Sequence, residues 1–245
     1  MKQDRPVIDM TKRLGALGIL WGAITLLAVA VPATAKTPGA ETPRDTLIRA
    51  AFTGTVRADA LRQVMSAEAG AIALLARDVH DREAQMTKAI ARSYIAKLRN
   101  SRSDALAARL QFEALAAADP KDPEAQAAIG GWHIESLATL GSMVARMALG
   151  ARKAVGIDAL DRSVVLGGNR AMFTGLAALL RAELDPGDPR VRPLAEAAVN
   201  GTAPTALDRT IQKSAAELLM AMKTSDAATI KALCKRLLPF GRLRD

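Results

Sequence analysis

Two histidines and one cysteine are the side chains of this sequence best suited to binding a metal or moving a proton. His133 and Glu135 form a His-x-Glu pair, the spacing that zinc deaminases use for a metal ligand and a proton carrier. That chemistry also needs a Pro-Cys-x-x-Cys segment, whereas Cys234 is the only cysteine. Residues two apart on a helix do not face each other. We therefore predict no metal site here, and we interpret His133 as a partly buried structural residue.

Other catalytic patterns are equally incomplete. Cys234 falls on an apolar helix face, where a thiol packs as a small hydrophobic group. No Gly-x-Ser-x-Gly segment is present, and Gly167-Gly168 lacks the Gly-Lys-Ser/Thr of a phosphate loop. His80 is expected at a helix end, where the helix dipole favours it. We predict a protein that is not an enzyme and that uses no cofactor, although an enzyme without a local motif is the third possibility.

Charge and composition narrow the classes of partner. The 245 residues carry a formal charge of +9, and only 3% of them are aromatic. Proteins that bind single-stranded nucleic acid need aromatic side chains clustered among the basic ones, and here the aromatic residues are scattered. We therefore predict no nucleic-acid partner. A single cysteine also excludes an internal disulfide and an iron–sulfur cluster.

The first 35 residues have the layout of a secretory signal peptide. Basic residues precede an uncharged apolar run over 14–31, and Pro32 and Ala33-Thr34-Ala35 follow as a cleavage pattern before Lys36. The alternative is an uncleaved anchor, because 18 residues nearly span a bilayer. A leader of this bacterial type predicts a periplasmic protein or, if it is not cleaved, an inner-membrane protein that faces the periplasm.

The rest of the chain predicts an all-α fold without a β-sheet. After a flexible lead-in over 36–41, helix starts with a Ser or Thr cap and an acid three residues later recur at Thr42, Ser101 and Thr205. We predict one helical domain over 42–238. The basic tail, 239–245, is either solvated or in contact with anionic headgroups or an acidic partner.

Apolar and small residues predict one long central helix over 123–149, buried on two sides. Ile129, Trp132 and Leu137 begin an apolar face that continues through Val144 and Met147. Small residues, Gly130 among them, occupy much of the remaining surface and would let a second helix approach closely.

A repeated turn is the clearest feature of the chain. Asp-Pro-Lys-Asp-Pro at 119–123 recurs as Asp-Pro-Gly-Asp-Pro at 185–189, an offset of two units of 33 residues. With small residues at Ala96, Ala108 and Gly130, the sequence over about 86–190 resembles the tetratricopeptide-repeat (TPR) family. That resemblance implies stacked antiparallel helical hairpins, in a short right-handed solenoid or a helical bundle. The alternative is that such turns connect helices in any bundle.

Two functions follow from this reading. The resemblance implies an exported, non-catalytic adaptor or scaffold that binds a protein or peptide, with Tyr94, Trp132 and His133 as its candidate contact residues. The alternative is a transport-associated protein that binds a lipid or small molecule in a cavity beside the central helix. Methionines would suit an adaptable lining; the candidates are Met143, Met147, Met172, Met220 and Met222.

Overall fold

The computed structural model describes residues 41–244, and this part of the chain is helical with no β-strand, as predicted. The predicted leader, 1–35, and nearly all of the lead-in lie outside it. Within 41–244, no helix is both long and apolar enough to span a membrane. The helices are α1 (Pro43–Thr53), α2 (Arg57–Leu75), α3 (Arg82–Arg99), α4 (Arg102–Ala118), α5 (Pro123–Leu140), α6 (Ser142–Leu149), α7 (Lys153–Gly167), α8 (Ala171–Leu184), α9 (Val191–Asn200), α10 (Ala206–Thr224) and α11 (Ala227–Leu237).

The predicted helix starts are confirmed. Thr42 and Thr205 each accept a hydrogen bond from the backbone N–H of an aspartate three residues later, and that aspartate bonds back to the threonine N–H. Ser101 caps α4 by accepting from the N–H of Asp104 at 3.3 Å. Each cap satisfies backbone donors that have no partner within the helix, which fixes where the helix begins.

The predicted single helix over 123–149 is wrong, because the chain breaks at Gly141. This glycine has φ 77° and ψ 153°, a conformation that other residues rarely adopt, and it separates α5 from α6. Val144 and Met147 therefore do not continue the buried face of α5. They lie on α6 and are 54% and 80% exposed.

The central position of α5 and its close packing are confirmed. It packs against α4, α7 and α8. A Cβ placed on Gly130 would lie 2.7 Å from Cγ of Leu160 in α7, and one placed on Gly156 of α7 would lie 2.8 Å from Cδ1 of Ile134 in α5. Each of these two helices thus uses a glycine to admit a branched side chain of the other. The second central helix is α8, which packs against α5, α7, α9, α10 and α11.

The two Asp-Pro-x-Asp-Pro turns have matching local structures. In both 119–123 and 185–189, the first aspartate accepts a backbone hydrogen bond from two residues ahead at 3.0 Å. The second aspartate binds a guanidinium, from Arg82 in the first turn and Arg181 in the second. From α1 to α5 each helix packs against the next one along the chain, whereas α5 packs chiefly against α7, past the short α6, and α10 and α11 pack chiefly against α8. The arrangement resembles a helical repeat with one interrupted unit.

Residues 239–244 pack against the start of the domain through their backbone and Phe240, while the side chains of Arg242 and Arg244 are exposed. The N–H of Phe240 donates to the carbonyl of Ala51 at 2.7 Å, and that of Arg244 donates to Thr55 at 2.9 Å. The Phe240 ring is buried and meets Tyr94 of α3 edge to face at 4.9 Å between ring centroids. The last described residues therefore close the stack of helices on α1.

Candidate functional site

A mainly apolar cavity lies beside α5. It is partly open to solvent, and its volume of about 120 Å³ is close to the ~150 Å³ of an enclosed apolar cavity that holds one aromatic ring. Helices α1, α3, α4, α5, α8 and α10 supply the apolar wall: Leu47, Ile48, Phe52, Ile90, Phe112, Ala127, Ala128, Gly131, Trp132, Met172, Leu176, Leu180, Leu207 and Ile211.

Small residues on α5 create this space. Ala127, Ala128 and Gly131 line the cavity, and a Cβ placed on Gly131 would have only Cδ1 of Leu180, at 3.8 Å, as a neighbour within 4 Å. The adjacent Gly130 is tightly packed against α7. One helix thus uses neighbouring glycines in opposite ways, for contact on one side and for open volume on the other.

Two ion pairs border the cavity. Arg44 of α1 binds Glu124 of α5, and Lys97 of α3 binds Glu135 of α5 at 3.1 Å. Burial raises the pKa of Glu124 above its usual value, although the charge of Arg44 acts in the opposite direction. Lys97 also donates to the carbonyl of Pro239, so the closing segment contributes to this border. Because each cavity-lining carboxylate already has a cationic partner, the strongest charges at the cavity are largely balanced.

Tyr94 adds an uncommitted polar group. Its side chain lines the cavity, and its hydroxyl makes no hydrogen bond within residues 41–244. Burial raises the pKa of Tyr94 well above its ordinary value, and the charge of Glu135 acts in the same direction. The hydroxyl therefore stays protonated, and it can both donate and accept a hydrogen bond.

The three residues predicted as partner contacts do not form one surface. Trp132 lies on the cavity wall beside Tyr94, and its indole N–H donates to the carbonyl of Ala105 at 3.0 Å. His133 is 3% exposed and does not line the cavity. Its Nδ1 accepts from the N–H of Arg152 at 3.2 Å. Burial, followed by the charges of Arg109 and Arg152, lowers the pKa of His133 to about 4, so the neutral ring fits the structural interpretation.

The methionine prediction holds for one side chain of the five. Met172 lines the cavity, whereas Met143, Met147 and Met220 are exposed and Met222 packs against the core. Arg44, Ser93 and Glu124 also line the cavity and were not singled out from the sequence. They come from α1, α3 and α5, and no local pattern indicates that these helices meet. On α8, the four-residue spacing of Met172, Leu176 and Leu180 is a sequence pattern that places these three side chains on one helix face.

Reactive groups are sparse elsewhere among the described residues. Within 41–244, no group of three or more His, Cys, Asp or Glu side chains is placed to hold a metal ion. Cys234 is buried, and burial together with the nearby Glu183 raises the pKa of its thiol to about 12. The cavity is thus the best-formed site, and its groups are suited to holding a molecule.

No protein-family model, curated protein or solved structure matches the chain.

Proposed function

We propose that this is a non-catalytic binding protein that holds a small, mainly apolar molecule in the cavity beside α5. The observation that supports the proposal best is an aliphatic and aromatic wall that includes two hydroxyls without a hydrogen bond among residues 41–244, those of Ser93 and Tyr94. Ligand sites in proteins typically combine an apolar lining with a few polar groups that fix orientation. This is the second of the two functions predicted from the sequence, and the closing of the stack by residues 239–244 favours it over an open peptide groove.

The polar groups also restrict the ligand. The Tyr94 hydroxyl can donate to or accept from one polar atom, while the two bordering carboxylates are already paired with Arg44 and Lys97. A ligand carboxylate would find no free cation there among the described residues, because Arg44 and Lys97 are already engaged by these two carboxylates. We therefore infer a ligand with one neutral hydroxyl or amide on an apolar ring or a short branched chain.

A protein- or peptide-binding adaptor is the second candidate. The cavity is partly open to solvent and has Tyr94 and Trp132 on its wall, so a single apolar side chain of a peptide could enter it. Membership of the TPR family would support this function, and the paired helices are compatible with it. His133 would contribute only indirectly, through its contact with Arg152.

Export is proposed from residues 1–35. Cleavage after Ala35 would release the protein into the periplasm, and retention of the apolar run would leave it tethered to the inner membrane. The N-terminal peptide of protein recovered from its native cells distinguishes these fates by mass spectrometry. A peptide that begins at Lys36 means release, and one that includes the apolar run means tethering.

Binding of a small neutral probe, p-cresol, which is one apolar ring with one hydroxyl, tests the proposed function by isothermal titration calorimetry. The full chain should bind one probe molecule. Ala128→Phe, which fills the cavity from α5, should weaken binding by roughly tenfold or more, given a loss of at least ~1.4 kcal/mol. Ala69→Phe on the exposed side of α2 is the matched control and should bind normally. Equal binding by both variants, each with a cooperative thermal transition, would refute the cavity as the site.

The same two variants separate the candidates. If a crosslinked protein partner is lost in Ala128→Phe and kept in Ala69→Phe, and this partner displaces the probe, the adaptor is supported. If small neutral alcohols or amides displace the probe and no protein does, the small-molecule function is supported.

A further inference from the structure

The short helix α6 carries an exposed apolar face. Met143 and Met147 are 76% and 80% exposed, and Val144 between them is more than half exposed. Side chains three and four residues apart on a helix are neighbours, so these three form one patch. Leu140, just before the break at Gly141, is also exposed. None of these residues lines the cavity, so the patch is a separate surface.

Basic side chains lie beside this patch, on α6 and at its C-terminal end. Nε of Arg102 donates to the carbonyl of Ala148 at 2.7 Å, and Nη1 of Arg109 donates to that of Leu149 at 2.8 Å. These bonds hold two guanidinium groups at the C-terminal end of α6, where the helix dipole favours cations. Three more cations lie on α6 or directly after it: Arg146, Arg152 and Lys153.

Little negative charge balances these cations. Arg109 pairs with Glu113 at 3.4 Å. Within residues 41–244, the other four basic side chains around α6 have no carboxylate within 4 Å. The surface at α6 therefore combines an apolar patch with neighbouring cations that have no carboxylate partner in the described part of the chain.

We propose that α6 docks on the surface of an anionic phospholipid bilayer. The methionine and valine side chains would enter the boundary between headgroups and acyl chains, and the exposed cations Arg102, Arg146, Arg152 and Lys153 would contact lipid phosphates. An anionic bilayer would satisfy both features at once, because its acyl boundary would accept the apolar side chains while its headgroups face the cations beside them. The contact is independent of the proposed ligand and of residues 1–35.

A site-specific fluorescent label tests this proposal on the full chain. Met147→Cys is labelled with a nitrobenzoxadiazole thiol reagent, and Met220→Cys on α10, which is 63% exposed, is the matched control. Cys234 is buried and should not be labelled. The samples are mixed with vesicles of phosphatidylglycerol and phosphatidylethanolamine, or of phosphatidylcholine alone.

The expected result is a blue shift and increased emission for the label at Met147, on anionic vesicles only, with no change at Met220. Adding Arg146→Gln and Arg152→Gln should weaken vesicle binding by roughly tenfold or more, since each basic residue near an anionic surface contributes to affinity. High salt should have the same effect. The proposal is overturned if neither position responds, if both respond equally, or if phosphatidylcholine gives the same shift. It is also overturned if unlabelled protein alone shifts the Met147 label, since the patch then joins two copies of the chain.

Discussion

Replacing each of two adjacent glycines in α5 by alanine should change stability in opposite directions. Alanine is favoured over glycine in a helix interior by about 1 kcal/mol, so this contribution is the same at both positions. At Gly131 the new Cβ meets only Leu180, at 3.8 Å, which is ordinary contact. Gly131→Ala should therefore raise the free energy of unfolding by about 0.5–1 kcal/mol.

At Gly130 the new Cβ would lie 2.7 Å from Cγ and Cδ2 of Leu160 and 3.0 Å from its backbone nitrogen. Relief requires a shift of α7, because a backbone atom cannot rotate away. Overpacking of this kind costs about 1–3 kcal/mol. After the helix gain of about 1 kcal/mol is subtracted, Gly130→Ala should lower the free energy of unfolding by up to about 2 kcal/mol.

Urea unfolding, followed by circular dichroism, measures both variants against the parent chain. The two variants should differ by about 2 kcal/mol in unfolding free energy, or several degrees in melting temperature for a domain of this size. If Gly130→Ala were as stabilising as Gly131→Ala, the close approach of α5 and α7 would not require a glycine at position 130, and short Cβ distances would not predict the loss of stability.

Three further predictions concern buried titratable groups. The pKa of His133, about 4 in the fold, lies below its ordinary 6.5, so the unfolded chain binds the proton first. The free energy of unfolding should fall by up to about 3 kcal/mol as the pH drops from 6.5 to about 4. His133→Gln should lack this pH dependence in urea titrations at several pH values. At Asp208 burial acts to raise the pKa, but hydrogen bonds from Arg170 and Thr205 outweigh it and lower the pKa overall. The ionised Asp208 should therefore stabilise the fold above the ordinary carboxyl pKa, and this stabilisation should be lost as the pH falls towards the lower folded value. Asp208→Asn should lower the free energy of unfolding by about 3 kcal/mol near neutral pH, and the variant should lose less stability in acid than the parent chain. Cys234 should resist thiol reagents at mildly alkaline pH in the folded protein and react in denaturant, which a colorimetric thiol assay measures. Rapid reaction in the folded state would contradict its burial.

Local chemistry explains what the sequence predicted correctly. The caps at Thr42, Ser101 and Thr205 depend on residues three apart, so sequence spacing alone is sufficient to locate them. Small residues at Gly130 correctly predicted a close helix contact, because the neighbour needs only to be apolar and near. The resemblance to stacked hairpins likewise depended on a turn whose two copies prove to have matching hydrogen bonds.

Non-local contacts explain the failures. The apolar spacing continues through Gly141, so nothing in the pattern distinguishes a glycine inside a helix from one that breaks it. Residues 239–244 are rich in arginine, and only the burial of Phe240 against α1 shows that they are packed. The cavity was predicted only as an alternative, because Ala127, Ala128 and Gly131 have the composition of a tightly packed face. Whether small residues admit a neighbour or leave space depends on which side chains the other helices bring.

The bond between Phe240 and Ala51 has a consequence for the order in which the protein folds. It joins residues separated by nearly the whole described chain. Closing so long a loop costs more chain entropy than forming a local contact, so we expect this bond to form late, after most local helix pairs. A nascent chain emerges from its N-terminus first, and α1 therefore waits for almost the entire sequence before its packing is complete. Until then Tyr94 lacks its ring partner and the border at Lys97 lacks the carbonyl of Pro239. The cavity beside α5 is thus completed only when the last described residues are in place.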